Sequence, residues 1–204
     1  MGCEEMDREI MRASRQDPAR VLVIPTAAVT GPAKAANDGV THFGNLGGHA
    51  SQLMVLDRSH ADDPKFVVSS GDAGVVYFTG GNPRHLLETL RDSQLLKTIL
   101  ESVDNGTVLA GSSAGAMVLG SYMRQPGGGG WVDALGILPG LAILPHHEGQ
   151  DAEETSQGLR AQAPAGLVVL GIDARTACLG RPGQWRVVGS GKVTVYQGDQ
   201  WVVY

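Results

Sequence analysis

From Val21 to Ala110 the apolar residues fall into short unbroken runs separated by stretches with helical spacing. Val21 to Ile24, Gln52 to Leu56, Val75 to Thr79 and Thr107 to Ala110 read as strands. Helices are predicted around Pro32 to Leu46, over Pro83 to Leu90 and over Gln94 to Val103. Continuous runs such as Val21-Leu22-Val23-Ile24 suit strands buried on both faces. The alternation therefore predicts an α/β fold, a mostly parallel sheet with helices on both faces in three αβα layers. At Gln125 to Gly130, a proline and four glycines, the pattern loosens into an expected flexible loop. The last third changes style. Leu141 to Leu144, Leu167 to Ile172, Thr176 to Leu179, Trp185 to Val188, Val193 to Tyr196 and Trp201 to Tyr204 are short strands. Gly189-Ser190-Gly191 and Gln197-Gly198-Asp199 punctuate them, which predicts antiparallel hairpins flanking the main sheet. No repeat or linker interrupts the chain, and 204 residues fit a single domain, 1–204, with a sizeable core.

Composition narrows the setting. A net charge of -5 lacks the basic excess of a nucleic-acid surface. Cys3 and Cys178 lie far apart, the first in an N-terminus expected to be mobile, so no disulfide framework is expected and a reducing cytoplasm is the natural compartment. Met1 to Arg20 is rich in charge where a secretory signal would be apolar, and no apolar run approaches a membrane span.

The chemistry concentrates at Gly111-Ser112-Ser113-Ala114-Gly115, where an apolar strand passes at once into a helix of small residues. A G-x-S-x-G between strand and helix is the pattern of a nucleophile elbow: the central residue is forced into a tight, strained turn that lifts its hydroxyl clear of the backbone. Only Ser113 has a glycine two residues away on both sides, so Ser113 and not Ser112 is the candidate nucleophile. The helix after it is expected to turn its N-terminal N–H groups toward that hydroxyl. A serine needs a base, usually histidine. His42, His49, His60 and His85 read as surface or helix-end residues. His146 and His147 follow the run Leu141 to Leu144 and Pro145, at the carboxyl end of a strand, where open α/β folds gather their sites. His146 is the candidate base; His147 is its alternative, or an exposed neighbour on the same loop. An oxyanion needs two N–H donors. Ala114 supplies one, and Gly80-Gly81-Asn82, directly after a strand, is placed to supply the other.

In order, Phe78-Thr79-Gly80-Gly81-Asn82, Gly111-Ser112-Ser113-Ala114-Gly115-Ala116, Leu135-Gly136-Ile137-Leu138-Pro139-Gly140 and Pro145-His146 resemble a known group. The chain is similar to the serine peptidase family of aspartyl dipeptidase (peptidase E) and cyanophycinase, with a class I glutamine amidotransferase-like fold. The likeness runs from Val21 to Ala177. It implies Ser113 as nucleophile, His146 as base, Gly81 and Ala114 as oxyanion donors, and cleavage of a small peptide or peptide-like amide without metal or organic cofactor. Amidotransferase chemistry is disfavoured, because those enzymes carry cysteine at the elbow.

Several positions depart from the family pattern. The usual first strand with its glycine-rich turn is missing or replaced, since the chain opens straight into a helix. Asp133 is the only acid between Ser113 and His146 and is the first choice for the orienting carboxylate, with Glu148 and Asp173 as rivals. The Asp-Gln before the histidine and the arginines after it that cyanophycinase resemblance would require are absent, so hydrolysis of the arginine-bearing polymer is not expected. Asn82 and Arg84 beside the glycine loop, and Arg124, are candidates to meet a substrate, an arginine suiting a carboxylate. A peptide-like substrate is expected, without nucleic acid or membrane as partner, and a homodimer is left open. The alternative function is a catalytically inactive relative that binds or scaffolds.

Overall fold

The computed structural model describes residues 2–125, 130–181 and 183–204. They form two compact units, one of Asp7–Gly115 and one of Ala116–Tyr204 together with the residues up to Met6.

Helix α1 (Glu4–Ala13) leads into the first unit. It buries Ile10 and Met11, and the Asp7 carboxylate lies 2.7 Å from His42 Nε2. The N-terminus, expected to be mobile, is instead helical from Glu4 and anchored by one apolar stripe and one buried carboxylate. There follow β1 (Arg20–Ile24), α2 (Pro32–Asn45), β2 (His49–Gln52), α3 (Arg58–Asp62), α4 (Pro64–Val68), β3 (Val75–Phe78), α5 (Pro83–Leu90), α6 (Gln94–Asp104), β4 (Val108–Gly111) and the single turn α7 (Ala114–Met117). The four strands form a parallel sheet in the order β2-β1-β3-β4. Val21, Leu22, Val23 and Ile24 are all buried, as a strand covered on both faces demands. Phe43 of α2, fully enclosed, meets Tyr77 of β3 edge-on at 5.0 Å between ring centroids.

The second strand falls earlier than its apolar run. Polar His49 to Gln52 make the ladder at the sheet's edge, whereas Leu53 and Val55, both buried, lie just beyond it. Hydrophobicity marks where the chain enters the core; hydrogen bonding marks the strand. Helices α3 and α4, five residues each, are too short to show periodicity, and Asp57 and Asp63 cap them by accepting from the N–H groups of His60 and Lys65.

The second unit contains β5 (Tyr122–Arg124), β6 (Trp131–Asp133), β7 (Leu141–Pro145), α8 (Ala152–Gln162), β8 (Val168–Ile172), β9 (Thr176–Arg181), β10 (Gln184–Gly189), β11 (Val193–Gln197) and β12 (Gln200–Val203). Its larger sheet runs β12-β11-β8-β7, with β7 and β8 parallel and the other pairs antiparallel. The expected C-terminal hairpins are β9-β10 and β11-β12. The latter closes on the two residues Gly198-Asp199, with Gly198 at φ +58, a positive angle that such tight turns need at their first position. The core here joins Ala142, Leu159, Leu167, Val169 and Tyr196. Helix α8 went unpredicted because Ser156 and Gly158 dilute its apolar stripe. Its start is nevertheless written in Asp151-Ala152-Glu153-Glu154, where Asp151 accepts from the Glu154 N–H at 2.8 Å. The β5-β6 hairpin also went unpredicted, and 126–129 of the expected glycine loop lie outside the described residues. The chain is accordingly mixed α/β, a four-stranded parallel sheet with helices and additional antiparallel strands. Among the described residues no helix is long and apolar enough to cross a membrane.

Phe43→Ala should lower the unfolding free energy by about 3–5 kcal/mol, whereas Val68→Ala, at an 80% exposed position, should stay within about 0.5 kcal/mol of the parent. Urea denaturation of the two variants side by side checks the assignment of this core.

Candidate active site

Ser113 is placed by the end of the β3-β4 ladder. Phe78 is in register with Gly111, and the Ser112 N–H donates to the Phe78 carbonyl at 3.1 Å, so the pairing runs to the residue before the serine. The backbone then breaks. Ser113 adopts φ +50, a left-handed conformation that costs a residue with a side chain about 1–2 kcal/mol. The Gly115 N–H donates to the Ser112 carbonyl at 2.8 Å and closes the turn. A side chain at Gly115 would run into the Phe78 carbonyl oxygen, so only glycine lets the turn settle onto β3. Helix α7 is a single turn, which corrects the expected contribution of a helix dipole: the individual N–H of Ala114 remains.

The Gly80-Gly81-Asn82 loop lies beside the serine. A Cβ added to Gly80 would stand 3.2 Å from Ser113 Cβ, so the bare backbone leaves that space open. Gly81 has φ +142, and a side chain on it would collide with the Ala27 carbonyl. The Asn82 N–H donates to the same carbonyl at 2.7 Å, and the Asn82 carboxamide oxygen caps α5 by accepting from the His85 N–H at 3.1 Å. The Asn82 oxygen is thereby committed to the cap. Arg84 is exposed and pairs across one helical turn with Glu88 at 2.9 Å. His85 Nε2 lies 2.8 Å from the Leu56 carbonyl, and His60 Nδ1 accepts from the Leu56 N–H at 3.3 Å. These two histidines, like His42, serve the scaffold.

In the second unit His146 directly follows β7, exposed and left-handed at φ +58. His147 corrects the expectation of an exposed neighbour. It is 6% exposed, its Nε2 is 2.7 Å from the Tyr196 hydroxyl, and burial pushes its imidazole below the ordinary histidine range against the opposing pull of Asp173 and Glu148. A buried, neutral ring tied to a phenol is a poor candidate for a base that must reach substrate. Glu148 is exposed; its carboxylate accepts from the Ala174 N–H at 2.8 Å, and that bond chiefly holds its pKa below the usual range, with smaller help from His146 and Arg175. Asp173 accepts from the Lys192 N–H at 3.0 Å. Asp133 ends β6, exposed and opposite Tyr122, and Arg124 ends β5, also exposed. Tyr196 escaped the sequence reading because one tyrosine in an alternating strand carries no mark of its partner. Among the described residues no three His, Cys, Asp or Glu side chains stand together as a metal site. Cys178 is a thiol that burial pushes up to about 11.

The sequence profile of peptidase family S51 matches residues 2–188. Cyanophycinase of Nostoc sp. (strain PCC 7120 / SAG 25.82 / UTEX 2576) is 28% identical over 92% of this chain and 68% of its own length. Peptidase E of Citrobacter koseri is 32% identical over 63% of this chain and 58% of its own. The crystal structure of a peptidase from an acI-B1 Actinobacterium superimposes with a TM-score of 0.83 at 28% identity, covering 100% of this chain and 88% of that one.

Gly115→Ala should lower the melting temperature far more than Gly158→Ala, since Gly158 is exposed on α8, at an ordinary backbone angle and with nothing near an added Cβ; equal shifts would contradict the close approach to Phe78. With a thiol titrating at about 11, about one Cys178 in a thousand is ionised at pH 8, so iodoacetamide should leave Cys178 unmodified in the folded protein and alkylate it readily in urea.

Proposed function

The chain belongs to peptidase family S51, a serine peptidase with a peptide-like substrate, and we propose that Ser113 is its nucleophile, His146 its general base and Asp133 the carboxylate that orients the imidazole. The observation that carries this is the left-handed Ser113 at the end of a parallel strand, with the unsubstituted Gly80 backbone beside its Cβ. That supports reading the turn as a nucleophile elbow. Ser113 Oγ attacks the scissile carbonyl carbon while His146 takes its proton. The N–H groups of Gly81 and Ala114 receive the oxyanion. The C–N bond then breaks, the leaving amine takes the proton from His146, and water, deprotonated by the same imidazole, releases the acyl group from Ser113.

Glu148 supports a second choice for the acid. It follows His146 by two residues, and the Ala174 N–H helps keep its carboxylate ionised. For the substrate, a small peptide or peptide-like amide fits best. The pairing of Arg84 with Glu88 is exposed on both sides and therefore weak, so a substrate carboxylate can compete for the guanidinium, and the Asn82 backbone lies next to it. The three-layer, class I glutamine amidotransferase-like arrangement and a cytoplasmic setting belong to the same proposal. The inactive-scaffold alternative finds no support in relatives named as peptidases and cyanophycinases.

Intact-mass spectrometry after a fluorophosphonate should show one adduct on the parent chain and none on Ser113→Ala or His146→Ala; an adduct that survives in Ser113→Ala would place the nucleophile elsewhere. With an N-terminal aspartyl dipeptide or another responsive peptide, Ser113→Ala should lose about 10³-fold or more in kcat. Asp133→Asn should lose kcat by about 10²-fold or more while Glu148→Gln stays within about fivefold; the reverse ranking would transfer the orienting role to Glu148. Arg84→Ala should raise KM with kcat nearly unchanged for a carboxylate-bearing substrate.

A further inference from the structure

His146 holds an unfavourable backbone conformation, and such a residue persists only where its surroundings over-determine it. Both of its neighbours are fastened to the same strand. Pro145 is in register with Ile172 of β8, and the His147 N–H donates to the Ile172 carbonyl at 3.1 Å. His146 is therefore a one-residue excursion between two anchors.

The second anchor reaches further into the unit than a backbone bond. The His147 ring lies over Gly171 of β8, at a place where any Cβ would collide with it. It stands edge-on to Tyr196 of β11, with 5.5 Å between centroids, and its Nε2 is 2.7 Å from the Tyr196 hydroxyl. Tyr196 is itself 2% exposed and opposite Val169 of β8. The ring, the bare glycine beneath it and the phenol beside it form a clasp within one sheet. Burial raises the Tyr196 phenol, while Thr155 and Thr194 bond to it and Asp151 and Asp173 add charge nearby; the His147 imidazole is lowered by burial. Both partners thus stay uncharged around neutral pH, and the clasp adds no charge next to His146.

We propose that His147 and Tyr196 are positioning residues for His146, their buried ring-to-hydroxyl bond holding the base in its left-handed backbone so that its imidazole is presented in one orientation. This assignment depends on His146 being the base. Loosening the clasp leaves β7 and β8 paired through Leu141 to Pro145 and frees only the residue after them. The cost should therefore appear in the rate of proton transfer and not in substrate binding.

The test is a double-mutant cycle of His147→Phe and Tyr196→Phe on the full chain, with His147→Gln as a conservative variant and His146→Ala as the control. Steady-state hydrolysis of the responsive peptide is normalised to the folded fraction. Each single phenylalanine variant should lose about 10–100-fold in kcat with KM within about twofold, and the double variant should be no worse than the poorer single one. His147→Gln, which keeps a hydrogen-bonding group near the Tyr196 hydroxyl, should recover part of kcat. Should His147→Phe not fold, Tyr196→Phe and His147→Gln carry the test. If His146→Ala abolishes activity while Tyr196→Phe keeps kcat within about twofold, or if the two phenylalanine effects simply add, the positioning role is overturned and the base stands. If His146→Ala stays active, the base assignment falls and the positioning role with it.

Discussion

The approach of Gly115 to the Phe78 carbonyl is the constraint on which the serine's placement depends. The ladder between β3 and β4 continues through the bond from Ser112 to Phe78, so the chain must turn within a few atoms of a neighbouring strand. A turn that tight needs one residue in the left-handed region and one without a side chain. Ser113 takes the first position and Gly115 the second. The missing side chain at Gly80 completes the arrangement by leaving room at Ser113 Cβ, and the bond from Asn82 to the Ala27 carbonyl ties the neighbouring loop down.

The same device recurs in the second unit. There too a strand in parallel pairing, β7 on β8, ends in a left-handed residue with a side chain, His146, and a glycine on the neighbouring strand, Gly171, makes room for the ring of His147. Strain of about 1–3 kcal/mol at each of two residues is a noticeable share of a domain's stability. It is tolerated because the flanking hydrogen bonds and buried rings have few alternative arrangements. Ser113 and His146, two of the five non-glycine residues with positive φ among those described, are the ones the family resemblance singled out.

Polar groups around these positions divide cleanly by burial. His147, enclosed and tied to Tyr196, stays neutral and acts through shape. Glu148, exposed and fed by the Ala174 N–H, stays ionised. Asp7, enclosed beside His42, serves the helix at the start of the chain. Each side chain's duty thus depends on which residues of distant sequence surround it.

Much of the fold is legible along the chain. The runs Val21 to Ile24 and Val75 to Phe78 are long enough and apolar enough to be buried strands, and the glycines on both sides of Ser113 single out one serine from two. Asp151-Ala152-Glu153-Glu154 carries a helix start that the dilute apolar stripe of α8 conceals. Other features have no local mark. That β2 is polar edge strand and not the apolar run after it depends on which residues lie opposite β1. That His147 is enclosed and His146 exposed, two like residues side by side, depends on Gly171 and Tyr196, which lie 24 and 49 positions further on. By itself the sequence determined the elements and the residue types able to do chemistry, because periodicity, glycine spacing and turn residues act over a few positions. The tertiary structure alone decided which histidine is held and which is presented, because burial and hydrogen-bond partners are properties of residues that meet only when the strands pair.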